Sequence, residues 1–528
     1  MSATAEASGA DRNASPRRGT LSRVKHIIVV MQENHSFDNY FGALPCAPSS
    51  PYRRGPCDAD DHACVDGLSC VRHPVTGAYL CRDANRDAEQ PRKITAFHSA
   101  DYCVRTDLDP SRDGTHREVN FSDPNAGPPR SPNDGFVLVN DLSNQPDDLV
   151  ETRTDDETMS FYNEDDPGFY YDLTRNFALS DRHFPSVPGP TFPNRSYLMA
   201  ATSFGHLTTS EEVPDISLAP SLFYRPITGT IFDLLDQYGV SWANYYQDVR
   251  QAVSFRNFLA DPFHFRFFSK SGPAALPPNP FNSFLEDAQA GTLPEISFVD
   301  PNFGFFDPQA ENDEHPGPGP AGDLRAGQRF VARLVDAVRT SPNWPDSIVL
   351  ITYDEHGSYY DHVSPPAAPQ GGARTPDGIA PGQCADASNP PASEMPGGGL
   401  NCGESRSEAA QLCPAFSPSG PFPVQCASFD RLSVRVPLLA ISPFAKPRYV
   451  SHRVTDHTSI LALIERRFLT PDPDAPEVAM STPHLTARDA HADTLEDLFD
   501  FESSPSVDTL VNLSLAVPPS GSDPGCML

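Results

Sequence analysis

Short, uninterrupted apolar segments constrain the fold of this chain most strongly. Residues 24–31 and 347–352 are largely apolar and rich in β-branched side chains. A strand that helices cover on both faces has this composition, whereas a half-exposed strand alternates apolar and polar residues. We therefore expect buried parallel strands at these two segments. Residues 240–246, 293–299 and 436–442 predict three more strands.

Helical patterns separate these strands. Residues 327–339 place Phe330, Leu334 and Val338 at four-residue spacing, as in an amphipathic helix. Further helices are expected at residues 170–179, 196–202, 230–238 and 458–468. Strands that alternate with helices predict a layered α/β/α fold with a largely parallel central sheet. In such folds ligands bind beyond the carboxyl ends of the strands.

The charge of the chain restricts its partners. The net charge is −31, which argues against nucleic acid, since nucleic-acid binding relies on lysine and arginine. It also argues against a polybasic dock on anionic lipid, so at most a transient contact with a membrane surface is expected. An anionic substrate then needs a local positive centre, which a bound metal cation can supply. The sequence leaves the oligomeric state open.

Ten of the 11 cysteines fall into two clusters. The first comprises Cys46, Cys57, Cys64, Cys70, Cys81 and Cys103, and the second Cys384, Cys402, Cys413 and Cys426. Even numbers of cysteines in turn-rich sequence predict disulfide-stapled insertions and an extracellular or periplasmic location. Reduced thiols in a cytosolic protein are the alternative. The amino-terminal residues show no apolar segment of signal-peptide length.

These observations predict a domain organisation. Residues 1–20 form a disordered tail, residues 21–470 a catalytic domain, and residues 471–528 an irregular carboxyl-terminal tail. The Cys-rich loop insertions span about residues 43–115 and 365–429 of the catalytic domain. The 57 prolines agree with long loops, because proline fixes φ and lacks an N–H group.

Acidic or amide side chains follow two of the predicted strands. Glu33 and Asn34 follow the first strand, and Asp354 and Glu355 follow the strand at residues 347–352. Oxygen ligands of this type hold divalent cations, and adjacent carboxylates repel each other unless a cation or donors offset their charge. A helix N-cap at Asn34 and a solvated turn at Asp354 are the alternatives. The two strand ends predict a site for one divalent metal ion: Ca²⁺, Mg²⁺, Mn²⁺ or Zn²⁺.

A stiff turn carries the candidate nucleophile. Thr191 follows Gly189 and Pro190 in the segment G-P-T-F-P-N-R. A hydroxyl beside a metal can lose its proton and attack phosphorus. Asn194 and Arg195 are expected to hold phosphate oxygens, since arginine suits bidentate contact. A plain structural turn is the alternative.

Histidines supply the remaining candidates. His315, among carboxylates in the segment N-D-E-H-P, is the candidate general acid for the leaving alkoxide. His116, His356 and His362 are candidates for substrate contact. A surface or structural histidine is the alternative for each. The sequence has no G-x-S-x-G elbow, P-loop or H-E-x-x-H motif, which excludes the commonest serine hydrolases, kinases and zinc peptidases.

Taken together, the motifs resemble those of the bacterial phospholipase C and acid phosphatase family, within the alkaline phosphatase-like superfamily. Residues 33–42, E-N-H-S-F-D-N-Y-F-G, resemble its E-N-R-S-F-D-x-Y-F-G motif, with His35 in place of arginine. Residues 186–195, 297–301, 313–316, 352–366, 436–442 and 456–460 match further family motifs in the same order. Arg112 stands near a position at which the family has histidine, with His116 close by.

The resemblance implies an alkaline phosphatase-like fold and a specific mechanism. The implied metal ligands are Glu33, Asn34, Asp354, Glu355 and the Thr191 hydroxyl. In-line attack by Thr191 would give a phosphothreonine that water hydrolyses. The groups implied to stabilise the equatorial oxygens are the metal, Asn194, Arg195 and His315.

The predicted function is that of a phospholipase C-like phosphodiesterase acting on a phospholipid or a small phosphoester. An acid phosphatase acting on monoesters is the alternative within the same class. An inactive, disulfide-stapled surface or binding protein is the alternative of another class. The presence of all the implied ligands and of Thr191 speaks against an inactive protein.

Overall fold

The structure is a computed structural model that describes most of the chain. It describes residues 20–87, 92–102, 108–143, 155–203, 209, 228–254, 261, 263–270, 280–306, 310–316, 323–369, 429–474, 482–503 and 505–506. Residues 1–19 of the predicted tail and most of the predicted insertion at residues 365–429 lie outside this part.

A central sheet of eight strands organises the described residues. Its strands are β1 (His26–Gln32), β2 (Ala178–Ser180), β3 (Trp242–Tyr246), β4 (Phe265–Phe267), β5 (Ile296–Val299), β6 (Ser347–Tyr353), β7 (Leu438–Ile441) and β8 (Tyr449–Ser451). Their order is β4-β3-β5-β1-β6-β7-β2-β8, and only the two pairs that include β7 are antiparallel. The five predicted strands and the largely parallel sheet are confirmed.

Helices cover both faces of this sheet. They are α1 (Phe37–Phe41), α2 (Arg112–Asn120), α3 (Phe136–Ser143), α4 (Gly168–Asn176), α5 (Thr191–Ala200), α6 (Ile231–Tyr238), α7 (Phe284–Ala290), α8 (Leu324–Arg339), α9 (His457–Phe468) and α10 (Ala487–Ala490). Ile27, Val29 and Met31 of β1 pack on one face with α5, α6 and α9. Ile28 and Val30 pack on the other with α1, α4, α7 and α8. Burial on both faces explains why β1 is continuously apolar.

Two predicted helix boundaries are wrong. The helix expected at residues 170–179 ends at Asn176, and Ala178 and Leu179 belong to β2. The helix expected from residue 196 begins at Thr191, so five of the seven residues of the predicted turn at 189–195 are helical. The prediction placed Pro193 in a turn because proline usually interrupts a helix. A proline is tolerated there because the first N–H groups of a helix lack intrahelical partners.

The first Cys-rich insertion consists of short two-stranded pairs. Its strands are Arg53–Arg54 with Cys64–Val65, Cys70–Arg72 with Tyr79–Cys81, and Ala84–Arg86 with Lys93–Thr95, while Phe97–His98 pairs with Ser160–Phe161. Disulfides join Cys57 to Cys64 and Cys70 to Cys81, which confirms the predicted stapling here. Cys46 is unpaired. The second cysteine cluster lies outside the described residues.

The remaining elements are small. The fifth short pair is His183–Phe184 with Thr455–Asp456, and the 3-10 helices are Leu21–Arg23, Leu44–Cys46, Asp155–Met159, Gln251–Ser254, Trp344–Asp346 and Glu496–Leu498. Beyond residue 470, Leu485, Leu498 and Phe499 pack into the core that also contains Ile27. Within the described part of the chain, no helix has both the length and the apolar character needed to cross a bilayer.

Candidate active site

The carboxyl ends of β1 and β6 meet at one edge of the sheet. These strands are parallel, with Gln32 opposite Tyr353, so the acidic segments that follow lie side by side. The backbone N–H of Asn34 donates to Oδ1 of Asp354 over 3.2 Å. Asn34 has a φ of 64°, which asparagine tolerates better than most residues. A Cβ at Gly357 would lie 2.1 Å from the Asn34 carbonyl oxygen, so only glycine permits this approach.

The residues present fit a divalent cation. Glu33, Asn34, Asp354 and Glu355 are all buried. Both polar side-chain atoms of Asn34 and Oε1 of Glu355 lack a hydrogen-bond partner among the described residues. Buried oxygens are normally satisfied, and hard cations prefer carboxylate and amide oxygens. Burial, in part offset by His356 and reinforced by the Asp354 charge, raises the pKa of Glu355 to about 7.

Arg195 ties helix α5 to both strand ends. Its Nε donates to Asp354 Oδ2 over 2.9 Å, and its Nη2 lies 3.0 Å from Glu33 Oε1. Nη1 donates to Gln251 over 2.8 Å, and Nη2 also donates to the carbonyls of residues 31 and 32. The side chain is fully buried. The sequence predicts that Arg195 binds phosphate oxygens. In this structure it pairs with Asp354 and Glu33, and its predicted contact with phosphate stays a prediction.

Thr191 stands at the amino end of α5, partly exposed. It lies four residues before Arg195 and therefore on the same helix face. Among the described residues its hydroxyl has no hydrogen-bond partner. Asn194 accepts from the Val187 N–H over 3.1 Å and donates to the Gly189 carbonyl over 2.9 Å. Its amide therefore fixes the turn before Thr191, and its predicted contact with phosphate stays a prediction.

His315 is the predicted histidine that the structure brings beside the strand ends in a partly exposed position. The Glu33 N–H donates to the Asp313 carbonyl over 2.8 Å, which anchors the His315 loop to the end of β1. The His315 N–H donates to Asp313 Oδ1 over 3.0 Å. Burial, followed by the charges of Glu33 and Glu311, raises the pKa of the Asp313 carboxyl. His315 is thus surrounded by carboxylates, as the sequence predicts.

His356 is buried behind the strand ends, and its predicted contact with substrate stays a prediction. Its Nε2 lies 2.9 Å from Glu118 Oε2 and its Nδ1 3.4 Å from Glu355 Oε2. Burial lowers its pKa, but hydrogen bonds and charges of these two carboxylates outweigh burial and raise the pKa to about 9. His356 therefore lies between the carboxylates of Glu118 and Glu355.

His362 and His116 also have other partners than expected. His362 lies 2.6 Å from Asp38 and 3.2 Å from Asp66, in a buried network with Arg435. Asp38 and Asp66 outweigh the effect of burial and raise the His362 pKa to about 10. His116 bonds to the carbonyl of Arg112 over 2.8 Å. Burial and the Arg112 charge lower its pKa to about 3. Neither histidine joins the strand-end cluster.

Sequence reasoning missed two residues that contact this cluster. Glu118, on α2, pairs with His356, and His457, at the start of α9, donates from Nε2 to the Asp354 carbonyl over 2.8 Å. Both are buried. The match of residues 456–460 to a family motif was the available signal for His457. Glu118 had none, because its partner lies 238 residues away.

Comparison with known proteins identifies the family. The profile of the Phosphoesterase family matches residues 24–471, which is most of the chain. The chain belongs to the Phosphoesterase family. It is a phosphoric ester hydrolase, and the predicted enzyme class is confirmed.

Relatives of this phosphoesterase include plant and bacterial proteins. It is 29% identical to non-specific phospholipase C1 of Arabidopsis thaliana, over 92% of this chain and 72% of that protein. It is 28% identical to phospholipase C B of Mycobacterium tuberculosis, over 93% and 81%. A solved alkaline phosphatase superfamily protein from Vibrio parahaemolyticus matches at 14% identity and a TM-score of 0.28, over 56% and 59%. The fold assignment rests on the sheet topology itself.

A buried carboxylate lies behind the His315 loop of the phosphoesterase. Three tyrosine hydroxyls donate to Glu314: Tyr40 over 2.5 Å, Tyr353 over 2.6 Å and Tyr170 over 2.8 Å. His35 Nε2 bonds to the Glu314 carbonyl over 3.0 Å. Burial raises the pKa of Glu314 to about 7, although the tyrosine hydroxyls oppose this shift. Glu314 therefore anchors the segment that presents His315.

Glu314→Gln is expected to remove a pH-dependent component of stability. The folded pKa of about 7 exceeds the ordinary value of 4.5, so the folded state retains a proton that the unfolded state releases. The stability that Glu314 gains by keeping this proton is fully present below pH 4.5 and is lost as pH rises through 7. The unfolding free energy of the wild type, relative to Glu314→Gln, should fall by about 3 kcal/mol over this range. Denaturant titrations at several pH values test this, and a constant difference contradicts it.

Proposed function

We propose that this phosphoesterase is a phospholipase C-like phosphodiesterase that uses Thr191 as its nucleophile. The observation that carries the proposal is the link that Arg195 forms between α5 and the two acidic strand ends. The same helix presents the Thr191 hydroxyl at its amino end. The names of the relatives, phospholipases C of a plant and of bacteria, support a diester substrate.

The proposed cofactor is one divalent metal ion. Glu33, Asn34, Asp354 and Glu355 would hold it, with the Thr191 hydroxyl as a further ligand. Such an ion supplies Lewis acidity and lowers the pKa of a nearby hydroxyl. The oxygen-rich donor set suits Ca²⁺, Mg²⁺, Mn²⁺ or Zn²⁺, and elemental analysis of protein purified without chelator identifies which.

The protein's own groups carry the remaining steps. Thr191 Oγ1 releases its proton to solvent and forms a bond to phosphorus, while the bond from phosphorus to the leaving alkoxide breaks. His315 donates the proton that the alkoxide takes up. The N–H groups of the first turn of α5 stabilise the phosphoryl oxygens. Water then attacks the phosphothreonine, His315 accepts its proton, and the bond from phosphorus to Thr191 breaks. Thr191 Oγ1 takes a proton back from solvent, which restores the starting state.

The partners of Arg195 favour a diester over a monoester. A phosphomonoester carries a second negative charge and needs additional positive charge around its terminal oxygens. The arginine of the P-N-R motif cannot provide this charge, because Glu33 and Asp354 already pair with it. An acid phosphatase activity is therefore the less favoured alternative.

A matched pair of chromogenic substrates tests the function. We expect turnover of bis(p-nitrophenyl) phosphate to exceed that of p-nitrophenyl phosphate in kcat/KM. Treatment with EDTA should abolish both activities, and the divalent ion found by elemental analysis should restore them. Turnover of the monoester alone would refute the phospholipase C-like proposal.

We also propose that the enzyme works in an oxidising compartment, outside the cell or in a periplasm. Two disulfides within the first insertion support this location. Fractionation of the source cells, with detection of the native protein by antibody, tests it.

A further inference from the structure

Two consecutive phenylalanines stand out on the surface near the strand ends. Phe305 exposes 61% and Phe306 57% of its surface. Both lie in the loop that follows β5. Because β5 runs parallel to β1 and is its direct neighbour, this loop leaves the sheet at the edge that carries Glu33 and Asn34. The exposed pair therefore lies on the side of the molecule where the site is.

Direct contacts join this loop to the site. The ring of Phe303 packs against the guanidinium of Arg195, with 5.0 Å between Cζ and the ring centroid. Arg195 in turn pairs with Glu33 and Asp354. The exposed phenylalanines begin two residues beyond Phe303, so they border the site itself.

The loop holds the phenylalanines in a fixed arrangement. The Asp248 carboxylate accepts from the Phe303 N–H over 3.1 Å and from the Phe305 N–H over 2.9 Å. The Gly304 N–H donates to Asn302 Oδ1 over 2.9 Å. Gly304 has a φ of 73°, and a Cβ there would lie 2.3 Å from Glu311 Oε2. Exposing two rings to water on an anchored turn is unfavourable unless a partner covers them.

The net charge of the chain restricts which kind of partner can cover Phe305 and Phe306. The net charge of −31 opposes a strongly anionic surface. A zwitterionic phospholipid surface is electrically neutral and has an apolar layer beneath its headgroups. Aromatic side chains bind well at this boundary. A docked enzyme would also have its site facing the headgroups.

We propose that Phe305 and Phe306 form a docking tip that enters the surface of a zwitterionic phospholipid membrane and brings the active site to its substrate. This inference rests on the proposed phospholipase C-like function. It states where the substrate comes from: the enzyme takes a phospholipid from a membrane and not a phosphodiester from solution. It also predicts that removing the tip affects only membrane-bound substrate.

The test compares Phe305→Ser/Phe306→Ser with the control Phe263→Ser. Phe263 is 63% exposed and precedes β4, which is parallel to β3 and thus begins at the opposite edge of the sheet. Binding is measured in full-length Thr191→Ala protein by co-sedimentation with phosphatidylcholine vesicles. Activity is measured on otherwise wild-type chains with bis(p-nitrophenyl) phosphate and with the same vesicles.

We expect the double variant to bind phosphatidylcholine vesicles at least about tenfold more weakly and to lose a similar factor in vesicle hydrolysis. Turnover of the soluble diester should be unchanged, which also shows that the variant is folded. Phe263→Ser should match the unmodified chain in every assay. Adding phosphatidylserine to the vesicles should weaken binding of the unmodified chain.

Several results would contradict the proposal that Phe305 and Phe306 form a docking tip. They are unchanged vesicle binding by the double variant, an equal loss in Phe263→Ser, binding that requires phosphatidylserine, and a change of oligomeric state with vesicle binding intact. Failure of the proposed function itself would look different. In that case the wild-type chain would not hydrolyse the soluble diester, whatever its affinity for vesicles.

Discussion

Replacing Thr191 by alanine should lower the kcat for bis(p-nitrophenyl) phosphate by about 10⁴-fold or more, as expected for loss of a nucleophile that acts in concert with its neighbours. The alanine has no oxygen to bond to phosphorus. Thr191→Ser should retain measurable activity, because it keeps the hydroxyl at the amino end of α5. Stopped-assay kinetics with purified variants measure both effects.

The folded state provides the control for this substitution. Thr191 is partly exposed and its hydroxyl has no hydrogen-bond partner among the described residues, so Thr191→Ala should unfold at the wild-type temperature. Acid quenching of the wild type during turnover should trap a phosphoryl group on Thr191, detectable by peptide mass spectrometry. Substantial activity in Thr191→Ala, or a phosphoryl group on another residue, would reject Thr191 as the nucleophile.

Replacing Arg195 by methionine should destabilise the protein by about 3–5 kcal/mol and abolish phosphodiester turnover. In protein freed of metal, the substitution leaves Glu33 and Asp354 as buried carboxylates without a cation. Removing one partner of a buried ion pair costs this much free energy of unfolding, so stability is compared in the metal-free proteins. The substitution also frees α5 from both strand ends, so Thr191 loses its alignment. Urea titration gives the stability, and activity is assayed at a temperature where the variant is folded.

Arg453 offers a matched control for Arg195. It also lies near two carboxylates, at 3.2 Å from Asp493 and 3.7 Å from Asp497, but its side chain is 63% exposed. Exposed ion pairs contribute roughly 0–1 kcal/mol. Arg453→Met should therefore leave stability and turnover nearly unchanged. Equal losses in the two variants would show that burial of Arg195 is not the source of its effect.

The sequence predicts the sheet well because burial on both faces leaves a clear trace in β1 and β6. Each strand is apolar without alternation, and each ends at an acidic or amide pair. Parallel pairing then brings these ends together wherever they fall along the chain. The α5 boundary was less predictable, since Pro193 resembles a turn residue although the first helical turn tolerates it.

The contacts of individual residues in the site are harder to predict from sequence than which residues lie near it. Arg195 and Asn194 lie near the proposed site, yet their hydrogen bonds go to protein groups. Residue type does not reveal this, because arginine suits carboxylate and phosphate equally well. His356 and His362 show the same limit, since carboxylates from distant segments, Glu118 and Asp66, bind their rings.

The pairing of β1 with β6 sets an order for maturation of the enzyme. Asn34 and Asp354 are 320 residues apart, and both sheet neighbours of β1 lie in the second half of the chain. Such distant contacts form slowly, after long loops have closed. A nascent chain that ends before β6 lacks Asp354 and Glu355, two of the five proposed metal ligands. If these residues hold the metal as proposed, the chain on the ribosome is inactive until β6 and the acidic pair after it have been made.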